Sequence, residues 1–131
     1  MKAKVLLVDD YPDIRDSLGH TLRLEGYDVS LACNGREALK ALRDTWFDLV
    51  LLDLDMAALD GWQTLGQIVT TGLRAGLSVP VIITTERADQ QWLASQKGVA
   101  AVLKKPLALP SLLEVMKRMA AAQDQNHFNQ P

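Results

Sequence analysis

Five short apolar runs recur along the chain, and stretches with helical spacing of apolar residues separate them. The runs are KVLLV (4–8), YDVSLA (27–32), LVLL (49–52), VIIT (81–84) and AVL (101–103). Three of them are continuous rather than alternating, which is typical of parallel strands whose two faces are both covered. Strict alternation of strands and helices with short links predicts an α/β fold with an open, doubly wound parallel sheet and right-handed crossovers.

Five helices are predicted from the apolar spacing, with Pro or Asn at helix starts and Gly at helix ends. The first helix has Pro12 in its first turn, and Asn34 caps the second. The third and fourth helices span about 62–75 and 88–97, and Pro110 opens the fifth. A length of 131 residues suits a single core, so residues 1–122 are expected to form one domain. Residues 123–131 are polar and aperiodic, and we expect them to be a C-terminal tail or the start of a linker.

Composition and charge argue against several kinds of partner and location. The net charge is −2 and the 14 Lys and Arg residues are scattered, so direct binding of nucleic acid is not expected. The single cysteine, Cys33, cannot form an internal disulfide, and the first residues lack the apolar run and cleavage site of a signal peptide. No apolar stretch approaches the ~20 residues that span a bilayer. The sequence therefore predicts a cytoplasmic protein that does not interact with a membrane.

Carboxylates stand where two of the predicted strands end. Asp9 and Asp10 follow the first run, and Asp53 follows the third. Ligands of open α/β sheets bind beyond the carboxyl ends of the strands, so these three side chains should lie close together. A single Asp after a strand is often a turn former or a helix cap, but capping alone rarely explains the whole set. Because adjacent carboxylates repel one another, the cluster predicts a hard divalent cation such as Mg²⁺.

Two further groups complete a predicted phosphate site at the same edge of the sheet. Thr84 ends the fourth run, and its hydroxyl can donate a hydrogen bond. Lys105 follows the fifth run and supplies a compact positive charge. A hydroxyl and an ammonium facing the same pocket as the carboxylates are suited to binding a phosphoryl group.

Four segments together resemble the receiver domain of two-component response regulators, over residues 3 to about 120. The segments are LLVDD (6–10), LLDLDMAALDG (51–61), VIITTE (81–86) and LKKP (103–106). The resemblance implies a flavodoxin-like (βα)5 fold with a five-stranded parallel sheet in the strand order 2-1-3-4-5. It also implies phosphorelay signalling, in which a sensor histidine kinase or phosphotransfer protein donates a phosphoryl group to Asp53.

The resemblance implies a role for each matching residue. Asp53 is the nucleophile, Lys105 pairs with the phosphoryl group, and Thr84 is the hydroxyl residue that moves onto that group. The protein would catalyse its own phosphorylation and dephosphorylation without being a dedicated turnover enzyme. Mg²⁺ would be held by Asp9, Asp10, Asp53 and the backbone carbonyl of Asp55.

Several positions depart from the family's usual pattern. Val102 stands where the family often has Tyr or Phe, which calls the aromatic part of its switch into question. Ala57 replaces a frequent proline, so the loop after Asp53 should be less rigid. Thr85 stands where Ala or Gly is usual, and its bulk is expected to slow both loading by small phosphodonors and hydrolysis. Asp55 adds a carboxylate where the family varies, with an effect on metal affinity or water access whose sign stays open.

The fourth helix, fifth strand and fifth helix form the face that members of this family commonly use for partners or for dimerisation. Trp92 lies on the predicted fourth helix. Core packing is the expectation for such a large aromatic side chain, and exposure would instead mark an interface. Val102 and Leu107 would then belong to the same patch, which would bind a downstream protein or a second copy.

Two other functions stay open at this point. The stretch DLD at 53–55 also resembles the nucleophile motif of haloacid-dehalogenase-type phosphatases, although the chain is short and that reading leaves Asp9 and Asp10 unexplained. The second alternative is a pseudo-receiver, a binding module that keeps the fold and is not phosphorylated. Substitutions at residues 57, 85 and 102 keep this second alternative open.

Overall fold

Strands and helices alternate strictly along the chain in the computed structural model, which describes residues 2–57, 60–75 and 79–128. Within this part of the chain the elements are β1 (Lys4–Val8), α1 (Pro12–Leu24), β2 (Asp28–Ala32), α2 (Gly35–Asp44), β3 (Leu49–Asp53), α3 (Asp60–Ala75), β4 (Val81–Thr85), α4 (Gln90–Ala94), β5 (Val99–Lys104) and α5 (Leu109–Phe128).

The five strands form one parallel sheet in the order β2-β1-β3-β4-β5, which confirms the predicted fold and strand order. Successive residues of a strand point to opposite faces, and here both faces are buried. One face packs under α1 and α5, where Leu51 and Ile82 lie in the same cluster as Leu22 and Leu112. The other face carries Leu6, Val8, Val50, Leu52 and Ile83, which cluster with Leu93 of α4. This double burial explains why the strands read as continuous apolar runs.

Helix α2 is capped by Asn34, the residue that the sequence predicted at its start. The Asn34 side chain accepts a hydrogen bond from the Glu37 backbone N–H at 2.8 Å. The Glu37 carboxylate in turn accepts one from the Cys33 backbone N–H at 2.8 Å. This reciprocal arrangement satisfies backbone donors that the helix itself leaves unpaired.

Two helices have bounds that differ from the sequence-based expectation. α4 (Gln90–Ala94) is shorter than the helix expected over about 88–97. Asp89, the residue before it, makes no capping bond and instead pairs with Arg87 at 2.6 Å. α5 continues to Phe128, past the boundary expected at residue 122, because the Ala and Gln residues there are good helix formers. The division into a domain and a tail stays a prediction.

In the part of the chain that the structure describes, no helix combines the length and the apolar character needed to cross a membrane.

Gly61, near the start of α3, packs tightly against the turn that follows β3. A Cβ atom at this position would lie 2.6 Å from the backbone oxygen of Leu54. Gly66 lies one turn further along the same helix, and a Cβ there would meet nothing within 4 Å.

We therefore expect Gly61→Ala to lower the free energy of unfolding by about 1–3 kcal/mol, because backbone atoms cannot move away as a flexible side chain can. Gly66→Ala, the matched control, should leave stability unchanged or raise it by up to about 1 kcal/mol through better helix propensity. Urea unfolding of both variants checks this. Equal effects of the two substitutions would show that the contact with Leu54 is not restrictive.

Candidate functional site

Asp53 is the last residue of β3, the central strand of the sheet, and it is buried. Its Oδ1 atom lies 2.8 Å from the Nζ atom of Lys105, which follows β5. The same oxygen accepts a hydrogen bond from the backbone N–H of Asp55 at 2.8 Å. The buried carboxylate thus has the partner that its burial requires.

Asp9 and Asp10, directly after β1, join Asp53 in one acidic cluster. Each of the three offers a carboxylate oxygen, and these oxygens lie within 4.8 Å of one another. The Asp9 carboxylate accepts a hydrogen bond from the Tyr11 backbone N–H at 2.9 Å. Asp10 accepts one at 2.9 Å from the backbone N–H of Ala57, in the loop after β3. The structure therefore brings together the three carboxylates that the sequence predicted to be neighbours.

The electrostatics of the cluster fit a cation. Burial raises the pKa of Asp9, and the negative charges of Asp53 and Asp10 raise it further, against the hydrogen bond from Tyr11 and the charge of Lys105. A divalent cation among these oxygens would remove that repulsion. Carboxylate oxygens are also the hard ligands that Mg²⁺ and Ca²⁺ prefer. The residues present are therefore able to hold such an ion.

Lys105 keeps its positive charge in this setting. Burial alone would lower the pKa of its ammonium group, but the hydrogen bond and charge of Asp53, together with the nearby Asp55, hold the pKa above its usual value. A permanently charged ammonium beside Asp53 can neutralise negative charge that arrives at that carboxylate.

The carboxylate of Asp55 is bound by three donors. Its Oδ1 accepts a hydrogen bond from the Thr85 hydroxyl at 2.7 Å, and its Oδ2 accepts one from the Glu86 backbone N–H at 2.7 Å. Oδ2 also lies 3.4 Å from the Nζ of Lys105. Burial by itself would raise the pKa of Asp55, but these hydrogen bonds and the ammonium hold it below its usual value. The side chain is therefore an anion at neutral pH.

The two threonines at the end of β4 occupy different surroundings. Thr84 pairs in register with Asp53 and lines a pocket with Asp9, Asp53 and Lys105. Thr85 is the next residue and lies on the opposite face of the strand, fully buried, where its hydroxyl contacts Asp55. Sequence reasoning considered only the bulk of Thr85 and missed this hydroxyl contact. The alternation of a strand was the available signal, since only one of two successive threonines can face Asp53.

Ala57 has a contact that the usual proline could not make. Its backbone N–H donates to Asp10, and proline has no such donor. The loop that the sequence predicted to be less rigid is therefore tied to the acidic cluster at this point. Residues 58 and 59 lie outside the described part of the chain.

Trp92 is 51% exposed, so the expectation that it packs in the core is wrong. The core residue of the short helix α4 is its neighbour Leu93. Trp92 instead packs against Trp62 of α3, with ring centroids 5.7 Å apart and ring planes tilted by 56°. The guanidinium of Arg87 lies 5.2 Å from the Trp62 ring and 5.9 Å from the Trp92 ring. We call these three residues the Arg87 stack.

Val102 and Leu107, the other predicted interface residues, are both partly buried. Val102 packs against the core on the face of the sheet that also contains Leu93. Leu107 packs against the core on the opposite face, under α1 and α5. Their membership in one interface with Trp92 stays a prediction.

Comparison with known proteins gives consistent matches. A family model described as the response regulator receiver domain matches residues 5–117. The response regulator MprA of Mycolicibacterium vanbaalenii is 35% identical over 121 residues, which cover 91% of this chain and 51% of that protein. The transcriptional regulatory protein PrrA of Mycobacterium leprae is 37% identical over 119 residues, which cover 88% of this chain and 49% of that protein. The chain thus spans about half the length of these curated relatives.

Solved structures agree with the sequence matches. A CheY-like receiver domain protein from Methanospirillum hungatei superimposes with a TM-score of 0.81 at 28% identity, over 96% of this chain and 99% of that one. The response regulator TrrA of Thermotoga maritima, in complex with Mg²⁺ and BeF, superimposes with a TM-score of 0.77 at 31% identity, over 91% of this chain and 99% of that one. With its fold, its acidic cluster and these matches, the chain belongs to the response regulator receiver domain family.

Proposed function

We propose that this protein is a phosphorylatable receiver and that Asp53 accepts a phosphoryl group from a phosphohistidine. The donor would be a sensor histidine kinase or a phosphotransfer protein. A carboxylate oxygen of Asp53 attacks phosphorus, a P–O bond forms, and the P–N bond to the imidazole breaks. The imidazole nitrogen keeps the electron pair, and the product on Asp53 is an acyl phosphate. The single observation that carries this proposal is the buried Asp53 carboxylate, held 2.8 Å from Lys105 beside two further carboxylates.

The surrounding residues suit this reaction, because phosphoryl transfer depends mainly on positioning and charge neutralisation. Lys105 offsets negative charge on the phosphoryl group as it arrives at Asp53. Thr84 lines the same pocket, and we propose that its hydroxyl donates to the phosphoryl group. A bound Mg²⁺ would supply further positive charge. The proposed groups that hold it are the carboxylates of Asp9, Asp10 and Asp53 and the backbone carbonyl of Asp55.

We propose that the phosphorylated protein signals through the face formed by α4, β5 and α5. The half-exposed Trp92 gives this face an aromatic side chain for a protein partner. The partner is a downstream protein or a second copy of the chain, and Val102 and Leu107 are the other proposed contacts. A cytoplasmic location and the lack of direct contact with nucleic acid stay predictions.

The alternative functions have less support. In a phosphatase of the haloacid-dehalogenase type, the second Asp of the motif acts as an acid and a base. Here the carboxylate of Asp55 is held by Thr85, Glu86 and Lys105, and its pKa is lowered. A pseudo-receiver would have no use for a buried Asp53 carboxylate beside two further carboxylates. We therefore propose no turnover of external substrates beyond phosphorylation and dephosphorylation of the protein itself.

Incubation with acetyl phosphate and Mg²⁺ should add one phosphoryl group, a base-labile gain of about 80 Da in intact mass that is expected of an acyl phosphate. Asp53→Asn should gain nothing, because an amide oxygen is a far weaker nucleophile. Omission of Mg²⁺ should strongly reduce the gain. An adduct of equal yield in Asp53→Asn would show that the reactive group lies elsewhere.

Mg²⁺ should stabilise the folded protein, because the acidic cluster exists only in that state. At a Mg²⁺ concentration of about 100 times Kd, the gain in unfolding free energy should be about 2.7 kcal/mol. Asp10→Asn should remove most of this gain. Asp28→Asn, at the opposite end of the sheet, changes the same charge and should keep it. Thermal unfolding with and without Mg²⁺ measures both, and an equal gain in both variants would place the ion away from Asp10.

A further inference from the structure

The Asp55 carboxylate is bound by a set of donors that lies next to Asp53, the proposed phosphoacceptor. A hydroxyl, a backbone N–H and an ammonium converge on its two oxygens, from Thr85, Glu86 and Lys105 respectively. The side chain of Asp55 is 27% exposed, so it can leave this position for solvent. Two of the donors are held more firmly, since Thr85 is fully buried and Lys105 is paired with Asp53.

The direction of the Thr85 hydroxyl is fixed by its neighbours. Its Oγ1 accepts a hydrogen bond from the backbone N–H of Arg87 at 3.1 Å. With that lone pair engaged, the hydroxyl hydrogen points to Asp55, 2.7 Å away. The segment 85–87 is therefore held on the Asp55 carboxylate by two neighbouring groups, the Thr85 hydroxyl and the Glu86 N–H.

Lys105 links this donor set to the phosphoacceptor. Its Nζ lies 2.8 Å from Asp53 Oδ1 and 3.4 Å from Asp55 Oδ2. A phosphoryl group on Asp53 would bring up to about two negative charges and three acceptor oxygens to this position. Like charges repel, and one ammonium cannot pair equally well with both anions.

We propose that Asp55 is an internal competitor of the phosphoryl group. In the unphosphorylated protein its carboxylate occupies the donors of Thr85, Glu86 and Lys105, and a phosphoryl group on Asp53 displaces it from them. The inference rests on the proposed function, since it concerns the group that Asp53 would carry. Asp55 is thus a positioning residue that holds segment 85–87 until phosphorylation.

The same contact connects the site with the protein surface. Arg87 donates its backbone N–H to Thr85 and places its guanidinium over the rings of Trp62 and Trp92. Displacement of Asp55 frees the Thr85 hydroxyl. The hydrogen bond between Thr85 and the Arg87 backbone N–H then connects this hydroxyl to the Arg87 stack. This gives a link from the site to the exposed Trp92 in a protein that has Val102, rather than an aromatic residue, on β5.

Binding of BeF₃⁻, a tetrahedral mimic of a phosphoryl group on aspartate, tests the competition. Each variant is measured at a Mg²⁺ concentration that saturates that variant, with tryptophan emission as the signal. Asp55→Asn removes the charge and keeps the shape, so we expect BeF₃⁻ to bind about tenfold tighter or more. Asp28→Asn, the matched control, removes one charge at the opposite end of the sheet and leaves the donors of Asp55 in place. Its affinity for BeF₃⁻ should stay within about threefold of the parent.

A second measurement needs no phosphoryl mimic. Hydrogen exchange of the Glu86 amide, followed by NMR in the free protein, reports whether Asp55 holds this donor. Exchange should be at least several times faster in Asp55→Ala than in the parent. An unchanged rate would overturn the proposal, because Asp55 would then not restrain the segment.

The outcomes separate this inference from the proposed function. If the parent binds BeF₃⁻ through Asp53 and Asp55→Asn binds it no tighter, the competition is overturned and the receiver function stands. If the parent and all variants fail to bind BeF₃⁻ with saturating Mg²⁺, the proposed function fails, and the competition fails with it. Tighter binding in Asp55→Asn, together with faster Glu86 exchange in Asp55→Ala, supports both.

Discussion

The ion pair between Lys105 and Asp53, 2.8 Å long, is the interaction on which the rest of the site depends. Asp53 ends the central strand and is buried, where an unpaired carboxylate would be costly. Lys105 comes from the end of β5, and its backbone N–H donates to the Thr85 carbonyl at 2.8 Å, which fixes where its side chain begins. The strand order of the sheet therefore places the Lys105 ammonium beside Asp53, where its positive charge offsets the cost of a carboxylate at the end of a buried strand.

Around this ion pair, the site contains more carboxylates than positively charged groups. Asp9 and Asp10 add negative charge beside Asp53, and Asp55 adds negative charge beside Lys105. Backbone N–H groups offset part of this charge, among them the Ala57 N–H that ties the loop after β3 to Asp10. A divalent cation would add positive charge that the site lacks, and this cation together with Lys105 would offset the negative charge that a phosphoryl group brings to Asp53.

The features of the protein that were predictable from sequence are those governed by periodicity and strand order. Continuous apolar runs indicated two covered faces, and the strand ends placed Asp9 and Asp53 at one edge, as found. Contacts between side chains distant in sequence were not predictable in this way. The bond between Asp55 and Thr85 depends on which face of β4 each threonine takes. The exposure of Trp92 likewise depends on which residue of the short helix α4 faces the core, and that residue is Leu93.

Reductive trapping of the phosphorylated protein identifies the phosphoacceptor directly. Borohydride reduces an aspartyl phosphate to homoserine, and peptide mass spectrometry then identifies the residue that carried the phosphoryl group. Homoserine is expected at position 53 alone, in a protein phosphorylated by a histidine kinase or by a small phosphodonor. Homoserine at Asp9, Asp10 or Asp55, or an adduct that borohydride does not reduce, would contradict the claim that Asp53 is the phosphoacceptor.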